Sequence, residues 1–170
     1  MSRVVPDPLT SAHLTLELLT AAHASEMAVA LADPALYEFT GGEPPTVDQL
    51  IARYRTLESR VSPDGSEAWF NWAVRATDDM AIAGYVQATV VASGDHAEVA
   101  WVIAPSHQGQ GLATEAAGAM LHRLRTQGVQ RASAWIHPGH RASQAVARRL
   151  GFSPTAEISD REVRWSRAEA

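Results

Sequence analysis

The sequence predicts a mixed α/β (α+β) domain in which about seven strands form a mostly antiparallel sheet with four helices against it. Three observations predict this class. Apolar residues at period two alternate with apolar stripes at helical spacing along the chain. Short turns join three consecutive strand patterns, which is typical of an antiparallel meander. A strand–helix–strand pattern over residues 97–136 requires a crossover, and hence a parallel pair.

The first half of this single domain, residues 1–170, begins with one predicted strand and two helices. Leucines alternate over residues 14–19, as in a half-buried strand. Thr20 can cap a short Ala-rich helix that ends before Pro34. Thr46 and Gln49 then have the spacing of a capping box, and an apolar helical stripe follows until the turn-forming segment 62–65.

Three strands are predicted in the middle of the chain, over residues 69–75, 81–91 and 97–103, with Gly84 as a bulge in the second. The pattern then changes to an amphipathic helix that starts after Gly111 and closes at Gly128. The remaining elements are predicted in one order: a strand at 131–136, a helix at 142–150, and strands near 152–157 and 161–166.

Two residue types are missing, and their absence excludes whole classes of chemistry. The chain has no Cys, which excludes a thiol nucleophile, a disulfide framework and Cys-ligated metal. It also has no Lys, since all 14 basic residues are Arg. A Walker A loop and Schiff-base catalysis both need that amine.

The net charge of −5 is unevenly distributed. Residues 1–85 hold 5 Arg and 12 acids, a balance of −7, whereas residues 86–170 hold 9 Arg and 7 acids, a balance of +2. An acidic total argues against nucleic acid as a partner. The sequence has no signal-like or membrane-spanning apolar run, so we expect no membrane partner and a cytoplasmic location.

The segment from Ala104 to Glu115 joins an apolar strand to a helix and carries two glycines, Gly109 and Gly111. Unpaired amides and the positive end of the helix dipole make such a turn an anion site suited to a pyrophosphate. A plain strand-to-helix turn is the simpler alternative. A Rossmann site is disfavoured, because this loop follows the fourth strand and no acid ends the next strand.

The stretch Gln108-Gly-Gln-Gly-Leu-Ala113 resembles the Gln/Arg-x-x-Gly-x-Gly/Ala signature of the GNAT superfamily of acyl-CoA-dependent N-acetyltransferases. The predicted order of elements is similar to the GNAT fold over nearly the whole chain. Gly111-Leu-Ala-Thr-Glu-Ala116, Ile136-His-Pro-Gly-His-Arg-Ala-Ser143 and Leu150-Gly-Phe152 resemble motifs of its Rim-type branch, which includes ribosomal-protein N-terminal acetyltransferases. His140 stands where that branch usually has Asn.

The resemblance implies a bound co-substrate, acetyl-CoA. Backbone groups of one strand would pair with its pantetheine arm, and the strand would diverge from its parallel neighbour there. Loop amides would hold the pyrophosphate, and His140 would line the pocket. The residues so implied are Trp101, Val102, Ile103, Gln108, Gly109, Gln110, Gly111, Leu112, Ala113, Thr114 and His140.

The resemblance also suggests two catalytic residues for aminolysis of a thioester. Glu98 is the expected base, and Ser143 the expected acid for the leaving thiolate; a strand-end carboxylate and a helix cap are the structural alternatives. His137 and His140 are alternative acid–base groups, and with no third ligand nearby we expect no metal. His107 is expected to face solvent.

The acceptor is expected to be a primary amine, either a small molecule or a protein N-terminus. In this family the loop that holds Tyr37 and Phe39 borders the acceptor site, and Glu38 and Glu43 would suit a cationic amine. The family often dimerises, so a homodimer is an open expectation. The alternative function is a non-catalytic acyl-CoA-binding regulatory module.

Overall fold

A computed structural model describes residues 6–168 of the chain. The helices are α1 (Ala24–Ala30), α2 (Val47–Leu57), α3 (Leu112–Thr126) and α4 (Arg141–Arg149). The strands are β1 (Leu9–Thr10), β2 (Leu14–Leu18), β3 (Glu67–Ala76), β4 (Ile82–Val91), β5 (His96–Ile103), β6 (Arg131–Ile136), β7 (Ser153–Ser159) and β8 (Glu162–Ala168). Within the described range, none of the helices combines the length and apolarity needed to cross a bilayer.

Within residues 6–168, all eight strands form one sheet in the order β1-β2-β3-β4-β5-β6-β8-β7. Every neighbouring pair is antiparallel except β5 and β6, which are parallel, so the predicted fold class is confirmed. The strand beyond the predicted seven is β1, which pairs with β2 over two residues. Two residues are too few to show a period in sequence.

The first two helices differ from their predicted lengths. Thr20 does begin the first helical segment, but a 3₁₀ turn over Ala21–His23 precedes α1. The capping box of Thr46 and Gln49 starts α2 as predicted. That helix ends at Leu57, before the end of the apolar stripe, and Val61 instead forms an isolated bridge with Ala68. The left-handed backbone of Arg60, with φ of 58°, turns the chain into this bridge.

The helices cover the sheet on two sides and bury two apolar clusters. One cluster joins the sheet to α3, whose buried stripe includes Ala116, Ala117 and Met120. The other joins the opposite face to α1 and α2 through Met27, Leu50 and other buried residues. Trp72 and Phe70, both on β3, are fully buried in the first cluster.

The parallel pair of β5 and β6 opens along its length. The two strands pair only from His96 opposite Arg131 to Glu98 opposite Ser133. Beyond this point β5 stays paired with β4 as far as Ile103, and β6 stays paired with β8. The strands therefore diverge towards their carboxyl ends. The predicted irregularity at Gly84 is also present, where the register of β3 and β4 shifts.

Candidate active site

The gap between the diverging ends of β5 and β6 exposes backbone groups of β5. The N–H of Ala104 donates to Ala83 O on the β4 side, at 2.7 Å. Because backbone groups of a strand point alternately to its two neighbours, those of Trp101 and Ile103 face the gap. Val102 is turned towards β4 instead, where its carbonyl lies against Gly84. Trp101 and Ile103 therefore direct backbone groups into the gap, where Ile103 O accepts from the Gln108 side chain, while Val102 does not.

The loop that leaves β5 ends at the amino terminus of α3, at the same edge of the sheet. Gly109 and Gly111 both have a φ of +77°, and Gly111 is the N-cap of α3. The N–H of Glu115 donates to Gly111 O at 3.0 Å and closes the first turn. The amides ahead of Glu115 have no intrahelical acceptor, so they point out of the helix end. The Gln108 side chain fixes the start of the loop by donating to Ile103 O at 2.9 Å.

The hydroxyl of Thr114 is a further feature of this helix end that fits an anionic ligand. The hydroxyl oxygen of Thr114, in the first turn, is buried and has no hydrogen-bond partner among residues 6–168. A buried polar atom without a partner is costly unless a ligand or water satisfies it. Gln110, Leu112 and Ala113 complete the turn, with Leu112 buried in the core.

Glu98 lies where the pairing of β5 and β6 ends. Its Oε2 accepts a hydrogen bond from Nε1 of Trp135, on β6, at 3.1 Å. The carboxylate is exposed and lies on the same face of the sheet as Trp135. This bond bridges the two strands at the narrow end of the gap, and it leaves Oε1 of Glu98 open to a ligand.

Ser143 and His140 form a hydrogen-bonded pair at the start of α4. The backbone N–H of Ser143 donates to Nδ1 of His140 at 3.3 Å, and Ser143 Oγ lies 3.2 Å from Nε2. Because Nδ1 accepts, a neutral imidazole carries its proton on Nε2 and donates it to the Ser143 oxygen. The Ser143 hydroxyl proton is then available to another acceptor. Burial, and next the charge of His137, lower the pKa of His140, which favours this neutral form.

Phe39 reaches the same place from the loop between α1 and α2. Its ring stacks on His140 with centroids 4.8 Å apart and lies 5.3 Å from the ring of His137. Glu38, next to Phe39, is exposed, and its charge opposes the lowering of the His140 pKa. Tyr37 is turned away, since its hydroxyl donates to Leu31 O at 2.9 Å and closes the end of α1.

Glu162, which no sequence pattern indicated, lies at the start of β8 on the same sheet face as Trp135. Burial raises the pKa of this carboxyl; the charge of His137 lowers it, and those of Asp160 and Glu98 raise it. A half-buried carboxylate with a raised pKa is a better base than an ordinary one. Its signal in sequence was weak, because it follows a surface turn in a poorly marked hairpin.

The expectation that His107 faces solvent was wrong. Its side chain is only 13% exposed, and its Nε2 lies 2.8 Å from Oδ2 of Asp79. The pairing partner is on the turn between β3 and β4, a long way along the chain. Glu115, in the first turn of α3, likewise contacts the turn between β1 and β2.

Comparison of the sequence with family models identifies one family. The family model described as the acetyltransferase (GNAT) domain matches residues 13–153. No curated protein matches the sequence. Many solved structures are similar to the chain.

Three of these structures span nearly the same length. The ribosomal-protein-S5-alanine acetyltransferase of Vibrio fischeri has a TM-score of 0.81 at 16% identity, with 96% of this chain and 97% of that chain covered. RimL, a ribosomal L7/L12 alpha-N-protein acetyltransferase in complex with coenzyme A, has a TM-score of 0.76 at 17% identity, covering 96% and 98%. The microcin C7 self-immunity acetyltransferase MccE, in complex with acetyl-CoA and AMP, has a TM-score of 0.77 at 15% identity, covering 93% of each chain.

At these identities the structural likeness shows a shared fold. The family model covers most of the chain, and it ends just past the α4 segment that carries the His140–Ser143 pair. The diverging parallel strands and the glycine turn before α3 lie inside the matched range. The chain therefore belongs to the GNAT acetyltransferase family.

Proposed function

We propose that this protein transfers an acetyl group from acetyl-CoA to a primary amine by direct attack of the amine on the thioester. The observation that carries the proposal is the gap between β5 and β6, which opens at the same sheet edge as the free amides of α3 and has a carboxylate at its narrow end. Two structures of the same fold, RimL and MccE, hold coenzyme A or acetyl-CoA.

The gap and the loop would bind the two parts of acetyl-CoA. Backbone groups of Trp101 and Ile103 face the gap and can pair with the amides of a pantetheine arm, like an added strand. The amides from Gly109 to Thr114 can hold the diphosphate at the positive end of α3. The unpartnered hydroxyl of Thr114 is a further donor on this side. Gln108 keeps the loop against the end of β5.

The reaction forms a C–N bond and breaks the C–S bond of the thioester. The amine must arrive neutral or lose a proton to a base, and the thiolate that leaves must gain one. A backbone N–H facing the gap, from Trp101 or Ile103, can donate to the oxyanion that develops on the carbonyl. The chain has no Cys, so an acyl-cysteine intermediate is excluded.

Glu98 is the proposed base, acting directly or through a water on the open side of its carboxylate. Glu162 lies on the same face, and its raised pKa makes it a second acceptor for the proton. Ser143 is the proposed acid, because the geometry of His140 leaves its hydroxyl proton available. His140 therefore takes part through Ser143 and lines the pocket.

The acceptor would enter between Phe39 and the carboxylates of Glu98 and Glu162. The exposed carboxylate of Glu38, whose charge acts on His140, and the exposed Glu43 in the same loop favour a cationic amine. A protein N-terminus and a small-molecule amine both meet this requirement.

The direct test is mass spectrometry of an amine library after incubation with the protein and acetyl-CoA. Acetylated products are expected for at least one class of amine. Because the chain has no Lys, acetyl groups found on the protein itself cannot be on lysine, which keeps the readout clean. Binding of acetyl-CoA without transfer to any amine would instead support the regulatory module.

The base is tested by replacing Glu98 with Gln. A loss in kcat of about 10²-fold or more is expected, and it should be largest at low pH, where little of the amine is neutral. Glu67→Gln is a matched control, because Glu67 accepts the same kind of bond, from Nε1 of Trp69 at 3.0 Å, away from the gap. Equal effects of the two substitutions would contradict the proposed role of Glu98.

A further inference from the structure

Glu115, in the first turn of α3, is bonded to the turn between β1 and β2. Its Oε1 accepts from the Ser11 hydroxyl at 2.5 Å and from the backbone N–H of His13 at 2.8 Å. Its Oε2 lies 3.0 Å from Nδ1 of His13. Burial alone would raise the pKa of Glu115, but these hydrogen bonds lower it overall, so the side chain is ionised at neutral pH. Both carboxylate oxygens of Glu115 are therefore directed towards this turn.

Glu115 lies at the α3 end of the loop that joins β5 to α3, and Asp79 holds the opposite end of this loop. Its Oδ1 accepts the Ala81 N–H at 3.0 Å, and its Oδ2 pairs with Nε2 of His107 at 2.8 Å. His107 closes the 3₁₀ turn Pro105–His107, where the loop leaves β5. The Ala81 amide first, and then His107, lower the pKa of Asp79, so this pair also holds an ionised carboxylate at neutral pH.

The contacts of Glu115 and of Asp79, which anchor the two ends of the loop, belong to one hydrogen-bond network. The backbone N–H and the hydroxyl of Thr77 both donate to His13 O, each at 3.0 Å. Thr77 and Asp79 are in the same turn between β3 and β4, and His13 carries the bond to Glu115. The two turns that hold the loop are thus fixed to each other as well as to the loop.

Packing does little to hold the glycine turn 109–111, which lies between the bond from Gln108 to Ile103 O and the buried side chain of Leu112. A Cβ placed on Gly109 or Gly111 would meet no atom within 4 Å, so the glycines are surrounded by open space. Glycine also has the widest backbone freedom of any residue. No Arg lies between Ala104 and Thr114 to attract a phosphate, and the histidine in this segment, His107, is paired with Asp79. Binding an anion here depends on backbone amides, and so on holding them in place before the ligand arrives.

We propose that Glu115 and Asp79 are positioning residues, which hold the two ends of the loop 107–115 so that its amides are preorganised for the diphosphate of the acyl donor. This inference rests on the proposed use of acetyl-CoA. Neither carboxylate touches the ligand. Each acts through a histidine and a backbone turn, and removal of either should weaken binding of the diphosphate specifically.

The test compares two acyl donors, acetyl-CoA and S-acetyl-pantetheine, which lacks the diphosphate and the nucleotide. Glu115→Ala and Asp79→Ala should each raise the Kd for coenzyme A, measured by calorimetry, about tenfold, and raise the KM for acetyl-CoA similarly. For S-acetyl-pantetheine the change in kcat/KM should stay within about twofold. Glu115→Gln keeps an oxygen that can accept from Ser11 and His13, so it should recover most of the affinity.

Glu58→Ala is the matched control. Glu58, at the end of α2, also joins two segments by accepting the Ala21 N–H at 2.7 Å, but it lies outside the loop and its two anchoring turns. It should leave the Kd for coenzyme A unchanged. An equal loss with both donors would show a general structural defect and overturn the inference, as would unchanged affinity in both alanine variants. A wild-type protein that binds no coenzyme A would refute the proposed function itself, and that result is distinct from the other two.

Discussion

Gly84 offers the sharpest test of how β4 packs against β5, the strand that borders the gap on its other side. The residue has a φ of +152°, a region that side chains rarely adopt. A Cβ built there would lie 1.9 Å from the carbonyl oxygen of Val102 and 2.9 Å from its carbon. Both atoms are backbone of β5, so no side-chain rotation can relieve the overlap. The unfavourable conformation costs about 1–3 kcal/mol and the overlap about 1–3 kcal/mol more.

Gly84→Ala should therefore destabilise the protein by about 4 kcal/mol, which for a chain of this length corresponds to a fall in Tm of roughly 8–16 °C. Thermal unfolding followed by circular dichroism measures this. Gly118→Ala is the control, because Gly118 lies inside α3 and its Cβ would make an ordinary 3.6 Å contact with Leu150. Higher helix propensity should raise stability there by about 1 kcal/mol. A Tm for Gly84→Ala within about 2 °C of the wild type would refute the reasoning.

Three further predictions concern single side chains. The hydrogen bond from Arg75 is the main cause of the lowered pKa of Glu17, so the stability that this carboxylate contributes is present above pH 4.5 and is lost as the pH falls through the lowered value; Glu17→Gln should cost about 0.5–1 kcal/mol at pH 7 in urea unfolding, and progressively less as the pH is lowered below 4.5. Phe39→Leu removes the ring stacked on His140 and should raise the KM for the amine several-fold with little change in the KM for acetyl-CoA; equal changes in both constants would argue against a place in the acceptor site. His140→Ala removes both bonds that the imidazole makes to Ser143, so kcat should fall about tenfold when the thiol leaves slowly, and a more acidic leaving thiol should restore it; no dependence on the leaving thiol would contradict the proposed Ser143 role.

Local sequence patterns were sufficient to predict most of the fold. The capping box at Thr46, the glycine before Leu112 and the alternation over the three middle strands each depend on neighbours within a few residues, and each was predicted in the right place. The strand–helix–strand pattern also predicted the parallel pair. The two-residue strand β1 was missed because its pairing with β2, not its own sequence, makes it a strand.

In the candidate site, too, some features follow from the sequence and others only from the tertiary structure. The sequence by itself determined the chemistry that is excluded, through the absence of Cys and Lys, and it identified the loop before α3 through glycines whose left-handed backbone is a local requirement. Tertiary structure alone decided which distant groups meet: Asp79 with His107, Glu115 with Ser11 and His13. These contacts join residues 28 to 104 positions apart, and only the pairing of strands and the packing of α3 on the sheet bring them within hydrogen-bond distance. No periodicity in the chain encodes such a meeting, because hydrogen-bond partners are set by the folded geometry and not by spacing along the sequence.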